Sequence, residues 1–176
     1  QMHGENLHAH KRFKLKYTFD INKNLSRQIS KKFNSIPIKN PIVAFQDKNI
    51  DIVFIASSTP THINLINEAT KYKKVVFCEK PLDLDIKKVN ICKKKIKKFN
   101  PKIQLGFNRR YDPGHNSIKK DLKKGIIGTL EKIIITSRDP APPPINYLKV
   151  SGGIFKDMMI HDFDLVRFYL QNDELK

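Results

Sequence analysis

An aspartate and a histidine four positions apart, Asp157 and His161, lie in the run Gly152-Gly153-Ile154-Phe155-Lys156-Asp157-Met158-Met159-Ile160-His161-Asp162. On a helix, side chains at that spacing share a face and can touch. The spacing therefore predicts an acid–base pair, in which the carboxylate orients the imidazole and favours its charged form while the imidazole takes a hydroxyl proton. A helix-stabilising pair on a wet surface is the plainer alternative; the apolar neighbours Met158, Ile160 and Phe163 favour a buried, functional setting. A second charged group, Glu79-Lys80-Pro81, follows the apolar run Val75 to Cys78 directly. A lysine held by proline at a strand's carboxyl end can aim its ammonium at a substrate hydroxyl, with the glutamate facing a cofactor ribose. In Gly106-Phe107-Asn108-Arg109-Arg110-Tyr111, Arg109 is placed to meet a cofactor or a substrate, or to form a surface salt bridge.

Two more segments have the chemistry of nucleotide contacts. Ser57-Ser58-Thr59-Pro60-Thr61-His62 sits where a strand gives way to a helix, the edge of an open α/β sheet at which ligands bind, so Ser57, Thr59 and the helix N–H groups can hold a cofactor. A capping turn accounts for the same residues, and His62 alone reads more naturally as a satisfied histidine. Asp20 ends an apolar strand ahead of a helix. In dinucleotide folds an acid there takes the ribose hydroxyls, about 20 residues after a glycine-rich loop. Such an acid favours NAD over NADP, whose extra phosphate it repels; an ordinary turn aspartate is the alternative. The sequence contains no G-x-G-x-x-G, and counting back from Asp20 puts the end of that loop at about Gln1.

The elements that must position these groups alternate between short apolar runs and longer amphipathic ones, the pattern of βα units on a parallel sheet. Strands are expected at Phe13 to Phe19, Asp51 to Ser57, Val75 to Cys78 and Ile103 to Phe107, with an extended piece at Ile36 to Ile38. Helices are expected over Gln1 to His10, over Asn22 to Asn34 with Leu25, Ile29 and Phe33 as its buried stripe, and around Pro41 to Lys48. Others open at Pro60 and after a cap at Asp83 or Asp85. The character changes after Phe107, so we expect a nucleotide-binding part over 1–108 and the beginning of an α+β substrate domain over 109–176. In the latter, an amphipathic stretch runs to Lys124, Leu130 to Thr136 is β-rich, Arg138 to Tyr147 is a stiff proline-bearing loop, and Ile154 to Leu170 is one helix.

The chain has 176 residues and a formal net charge of +17. Alone, that charge suggests a polyanion partner. Most of it is lysine spread through helical stretches such as Lys87 to Lys98, without interleaved aromatics, so a solvated face is preferred to nucleic acid. No apolar run reaches the ~20 residues of a bilayer span, and a soluble, cytoplasmic protein is expected. Cys78 and Cys92 have neither metal-ligand nor redox spacing, which points to reduced structural thiols and no metal site.

Taken in order, these segments resemble the Gfo/Idh/MocA oxidoreductases, through Ala56, Ser57, Thr59 and His62, then Glu79-Lys80-Pro81, then Gln104 to Pro113. Thr136-Ser137-Arg138-Asp139-Pro140, Ser151-Gly152-Gly153 and Asp157 to Asp164 resemble the inositol 2-dehydrogenase branch in particular. The resemblance implies a Rossmann-like sheet lacking its first strand, and hydride transfer from a polyol or sugar, myo-inositol foremost, to NAD. It implies Lys80, Asp157 and His161 as catalytic residues, with His161 the base, and Asp20, Ser57, Thr59, His62, Glu79, Lys80 and Arg109 along the cofactor. It further implies homo-oligomers in full-length relatives, and a chain truncated at both ends. A catalytically silent relative is the alternative, and a nucleic-acid binder a more distant one.

Overall fold

A computed structural model of the protein describes residues 2–170 and divides them into two compact units. The first takes everything described up to Cys78 together with Asp85–Gln104, and the second takes Glu79–Leu84 with everything described from Leu105 onward.

In chain order the first unit carries α1 (Met2–Ala9), β1 (Tyr17–Thr18), α2 (Lys23–Phe33), β2 (Ile36–Pro37), α3 (Ile42–Gln46), β3 (Ile52–Ile55), α4 (Thr59–Lys71), β4 (Val75–Cys78), α5 (Ile86–Ile96) and β5 (Ile103–Leu105). Two asparagines bracket α2. Asn22 Oδ1 accepts from the N–H groups of Asn24 and Leu25 at 3.0 and 3.3 Å, and Asn34 ends the helix in the left-handed region at φ 50°, as short polar side chains favour. Asn22→Ala should therefore cost about 1 kcal/mol of stability, read as a lower urea midpoint; an unchanged midpoint would show that the cap contributes nothing. The stripe expected on this helix is rotated. Ser26, Ser30 and Phe33 are its buried residues, because Ser26 Oγ donates to Thr18 O at 3.4 Å and Ser30 Oγ is hydrogen-bonded to Thr18 Oγ1. Leu25 is left exposed and Ile29 half-buried.

β1 pairs with β2 in parallel, Tyr17 opposite Ile36. β3 pairs with β4 in parallel from Ile52 opposite Val75 to Ile55 opposite Cys78, and β5 lies beside β4. Among the described residues no ladder joins the two sheets. The doubly wound order 3-2-1-4-5-6 without its member 1 gives these two ladders, 3-2 and 4-5-6, so the unit is the Rossmann-type α/β sheet that the sequence predicts. β1 is much shorter than the strand expected over Phe13 to Phe19, since only Tyr17 and Thr18 find ladder partners. The core lies here: Phe33, Phe45, Ile55, Ile66, Ala69, Val76, Cys78, Cys92 and Ile96 are buried. Both cysteines are free, and burial pushes the Cys92 thiol up, which keeps it an inert packing group. Asp85, rather than Asp83, caps α5 by accepting from Lys87 N–H at 2.8 Å.

The second unit holds α6 (Pro113–Lys124), α7 (Ile145–Ser151), α8 (Gly153–Asp157) and α9 (Met159–Leu170). Asp112 caps α6 by accepting from His115 N–H at 3.1 Å, and Gly125 closes it at φ 72°. Three expectations are corrected. Leu130 to Thr136 forms no strand: a β-prone run needs a partner to build a ladder, and among the described residues it has none. The proline-stiffened loop ends earlier than expected, because Pro144 leads into α7. The single helix over Ile154 to Leu170 is broken at Met158, where His161 N–H bonds back only three residues, to Met158 O at 3.2 Å. Across this break the hydrogen bond expected between Asp157 and His161 is not formed among the described residues. Leu165 is the buried hydrophobic residue here, and Ile126, Ile134, Ile145, Leu148, Val150 and Ile154 are exposed. No helix among the described residues is long and apolar enough to cross a membrane.

Candidate active site

The second unit gathers Lys80, Asp157, Tyr147 and His161. Lys80 Nζ donates to Asp157 Oδ1 at 2.9 Å and to the Asp157 backbone oxygen at 2.7 Å. Among the described residues this occupies two of the ammonium's three N–H groups and leaves one for a ligand. The segment that carries Lys80, which includes the cis Lys80–Pro81 peptide, is tied down nearby. Lys156 Nζ donates to Leu84 O at 2.7 Å, and Leu84 Cδ2 lies 2.5 Å from where a Cβ on Gly152 would stand. With φ at 83° as well, that position accepts glycine alone without strain.

Tyr147, which lies in α7 rather than in the expected proline-bearing loop, donates its phenol to Asp157 Oδ1 at 2.7 Å. Burial pushes the Asp157 carboxyl up, but the hydrogen bonds from Lys80 and Tyr147, with the charges of Lys80 and His161, outweigh it and hold the group below the usual carboxylate range. It is a carboxylate at neutral pH, engaged by Lys80 and Tyr147 and not hydrogen-bonded to His161.

The His161 ring packs edge-on against Phe107, with centroids 6.3 Å apart and planes at 87°. Its Nδ1 is buried and, among the described residues, has no hydrogen-bond partner. Burial first, then the positive charges of Lys80 and Arg109, lower its pKa, against weaker opposition from Asp162 and Glu79. This corrects the expectation that a neighbouring carboxylate would favour the charged ring: the surroundings favour the neutral imidazole, the form that can accept a proton.

Arg109 Nη1 donates to Ser137 Oγ at 3.2 Å and to Asp162 Oδ1, and Ser137 Oγ donates to the same carboxylate oxygen at 2.7 Å. Its guanidinium is thus anchored within the unit while its charge reaches His161. Arg110 grips the buried Asp164 through two hydrogen bonds of 2.7 and 2.6 Å. Glu79 lies against Gly106: a Cβ there would come within 2.7 Å of Glu79 Oε2, so the missing side chain makes room for the carboxylate. Asp162 directly follows His161 in sequence, but no spacing rule pairs it with Arg109, and nothing in local sequence links Tyr147 to Asp157 ten positions on.

In the first unit, Asp20 Oδ1 accepts from Asn22 N–H at 2.7 Å, as a turn aspartate does. It also lines a cleft of about 420 Å³ with Leu25, Gln28, Ile29 and Lys32. The apolar residues rotated out of the core therefore wall this cleft. At the start of α4, Ser57 Oγ is hydrogen-bonded to Thr61 Oγ1 at 2.6 Å, and Thr59 is the first helical residue. His62 is 1% exposed and its Nε2 meets Ser57 O at 2.9 Å; a carbonyl only accepts, so Nε2 carries the hydrogen and the ring pins the turn. Among the described residues no cluster of His, Cys, Asp and Glu suits a metal ion.

Comparison with known proteins gives a consistent result. Residues 1–107 match the family model GFO_IDH_MocA, an oxidoreductase family with an NAD-binding Rossmann fold, and residues 115–174 match the GFO/IDH/MocA C-terminal domain. The chain is 40% identical over 176 residues to a myo-inositol 2-dehydrogenase of Thermotoga maritima, covering 99% of this chain and 52% of that one. The crystal structure of a myo-inositol dehydrogenase from Corynebacterium glutamicum superimposes with a TM-score of 0.90 at 40% identity, over 95% of this chain and 50% of that one. That of a scyllo-inositol dehydrogenase from Lactobacillus casei, with bound NAD(H) and scyllo-inositol, gives 0.81 at 30% identity, over 96% and 52%. The chain thus spans about half the length of these relatives.

Proposed function

Because the chain belongs to the Gfo/Idh/MocA oxidoreductase family, we propose that it serves a dehydrogenase that moves a hydride from a CH–OH group of a polyol, myo-inositol foremost, to NAD and leaves a ketone. The observation that carries this reading is the Lys80 ammonium held on Asp157 at 2.9 Å with one N–H in reserve, in the same unit as an imidazole biased to its neutral form. Oxidising an alcohol requires removal of the hydroxyl proton and stabilisation of alkoxide charge as hydride departs, and these two groups supply those functions. His161 takes the proton. Lys80 donates to the alkoxide oxygen, and Asp157 keeps the ammonium aimed.

The residues of the first unit fit a dinucleotide. A carboxylate beside an open cleft with Leu25 and Ile29 as apolar walls suits a ribose next to a flat base, and Asp20 disfavours a phosphate on that ribose, hence NAD over NADP. Ser57 and Thr59 offer hydroxyl and N–H donors at a helix start, with His62 bracing Ser57 from behind. In the second unit Glu79 is assigned the carboxylate contact to the cofactor, and Arg109 an electrostatic role through its charge. When bound, the nicotinamide ring supplies the hydride acceptor.

The direct test gives NAD with myo-inositol or scyllo-inositol to this chain, and to a chimera in which it replaces the aligned half of the Thermotoga maritima relative, and follows absorbance of the reduced nicotinamide. Turnover in the chimera is expected; none with either polyol, alongside no calorimetric NAD binding, would leave a silent relative as the better reading. A narrower expectation concerns Gly106. Gly106→Ala should push the Glu79 carboxylate aside while barely altering the melting temperature, because a flexible side chain gives way rather than backbone, and NAD affinity should fall by roughly tenfold, the size of one lost hydrogen bond to a charged group. Unchanged affinity by calorimetry would remove Glu79 from the cofactor site.

A further inference from the structure

We infer that Tyr147 is a positioning residue of this site, setting the orientation of Asp157 and through it that of the Lys80 ammonium; its consequence for rate rests on the dehydrogenase reading above, its geometry does not. The phenol and the ammonium donate to one and the same atom, Asp157 Oδ1, at 2.7 and 2.9 Å. Those are the hydrogen bonds to this carboxylate among the described residues. A carboxylate held by the ammonium alone can rotate about its terminal torsion, whose energy wells are broad. A second donor on the same oxygen, arriving from a different element, removes that freedom. Since Lys80 also bonds the Asp157 backbone oxygen at 2.7 Å, fixing Asp157 fixes where the remaining ammonium N–H points.

The lead-in to Tyr147 is suited to this task. Pro142-Pro143-Pro144 stiffens the approach, Pro144 is extended at φ −55°, ψ 140°, and Tyr147 N–H bonds back to Pro144 O at 2.9 Å in the first turn of α7. The ring arrives on a short, preordered path. The hydrogen bond to Asp157, burial and the Asp157 charge push the phenol pKa up to about 12, so the hydroxyl remains a donor throughout the neutral range, as the role requires. A packing role is the competing explanation, but the residue is 44% exposed, and removing only its oxygen strips nothing from a core. The titratable groups that act on the Asp157 carboxyl, besides the Tyr147 phenol, are Lys80 and His161.

The test uses Tyr147→Phe in this chain, with the Asp157 carboxyl titration followed by carbon-13 NMR. Asp157 should titrate at a higher pH than in the parent while the circular dichroism spectrum and melting temperature stay put; an unmoved titration overturns the inference. In the chimera, kcat for the polyol should fall roughly tenfold, the equivalent of one such hydrogen bond, with KM for NAD unchanged. A loss confined to KM, or no loss at all, also overturns it. A parent chimera without activity would defeat the dehydrogenase reading, and the carboxyl titration would still decide the positioning role.

Discussion

Replacing Lys80 with methionine should lower polyol oxidation in the chimera by roughly 10²- to 10³-fold, the usual cost of removing a donor that stabilises developing oxyanion charge. Methionine keeps the stem and removes the ammonium, so the loss measures charge and hydrogen bonding rather than volume. Two changes should accompany it in this chain. Asp157 loses its ion pair and keeps the Tyr147 hydrogen bond at 2.7 Å, so burial gains ground and its carboxyl titrates higher. His161 loses a positive neighbour that depresses it, so its titration also moves up. Lys80→Arg should restore the direction of both shifts but little of the rate, because a planar guanidinium cannot reproduce the single aimed N–H of an ammonium. A rate within tenfold of the parent for Lys80→Met would take Lys80 out of the reaction.

The groups that carry this prediction were legible in sequence to different degrees. Glu79-Lys80-Pro81 is contiguous and follows a strand whose bounds, Val75–Cys78, the apolar run marks at both ends, so its place at a strand terminus could be read directly. The limits of α2 were equally visible, at Asn22, whose side chain caps its start, and at Asn34, whose left-handed backbone ends it. Asp157 and His161 were found by type, but periodicity assumes an unbroken helix and the chain breaks at Met158; the carboxylate takes its hydrogen bonds from Lys80 and Tyr147 instead of the imidazole. Tyr147 and Ser137 were missed for a different reason: each meets its carboxylate ten or more positions away, 10 for Tyr147–Asp157 and 25 for Ser137–Asp162, and no local pattern encodes such a meeting. The rotated face of α2 had the same origin, since apolar periodicity cannot foresee serines buried by hydroxyl bonds to Thr18.

His161→Ala should remove roughly 10²- to 10⁴-fold of the rate, the range for a lost general base, and with it the acidic limb of the pH–rate profile. In the parent that limb should lie below the ordinary histidine value of about 6.5, because burial and the charges of Lys80 and Arg109 lower the ring's pKa. The rate then rises with pH through the lowered value and is level at neutrality, where the base is already unprotonated. Arg109→Met should move the limb toward higher pH, as Lys80→Met does, and Glu79→Gln should move it slightly lower, each by removing a charge that acts on the ring. Stability carries the same signature with a definite sign. Above about pH 6.5 neither folded nor unfolded chain protonates this ring, so it contributes no pH dependence there. Below that value the unfolded chain binds a proton that the folded one still refuses, and stability declines until the lowered folded pKa is reached. Imidazole resonances followed by NMR across this window decide the matter: a ring that titrates at or above the ordinary value would mean that its surroundings do not hold it ready as a base, and the proton would then have to leave the substrate by another route.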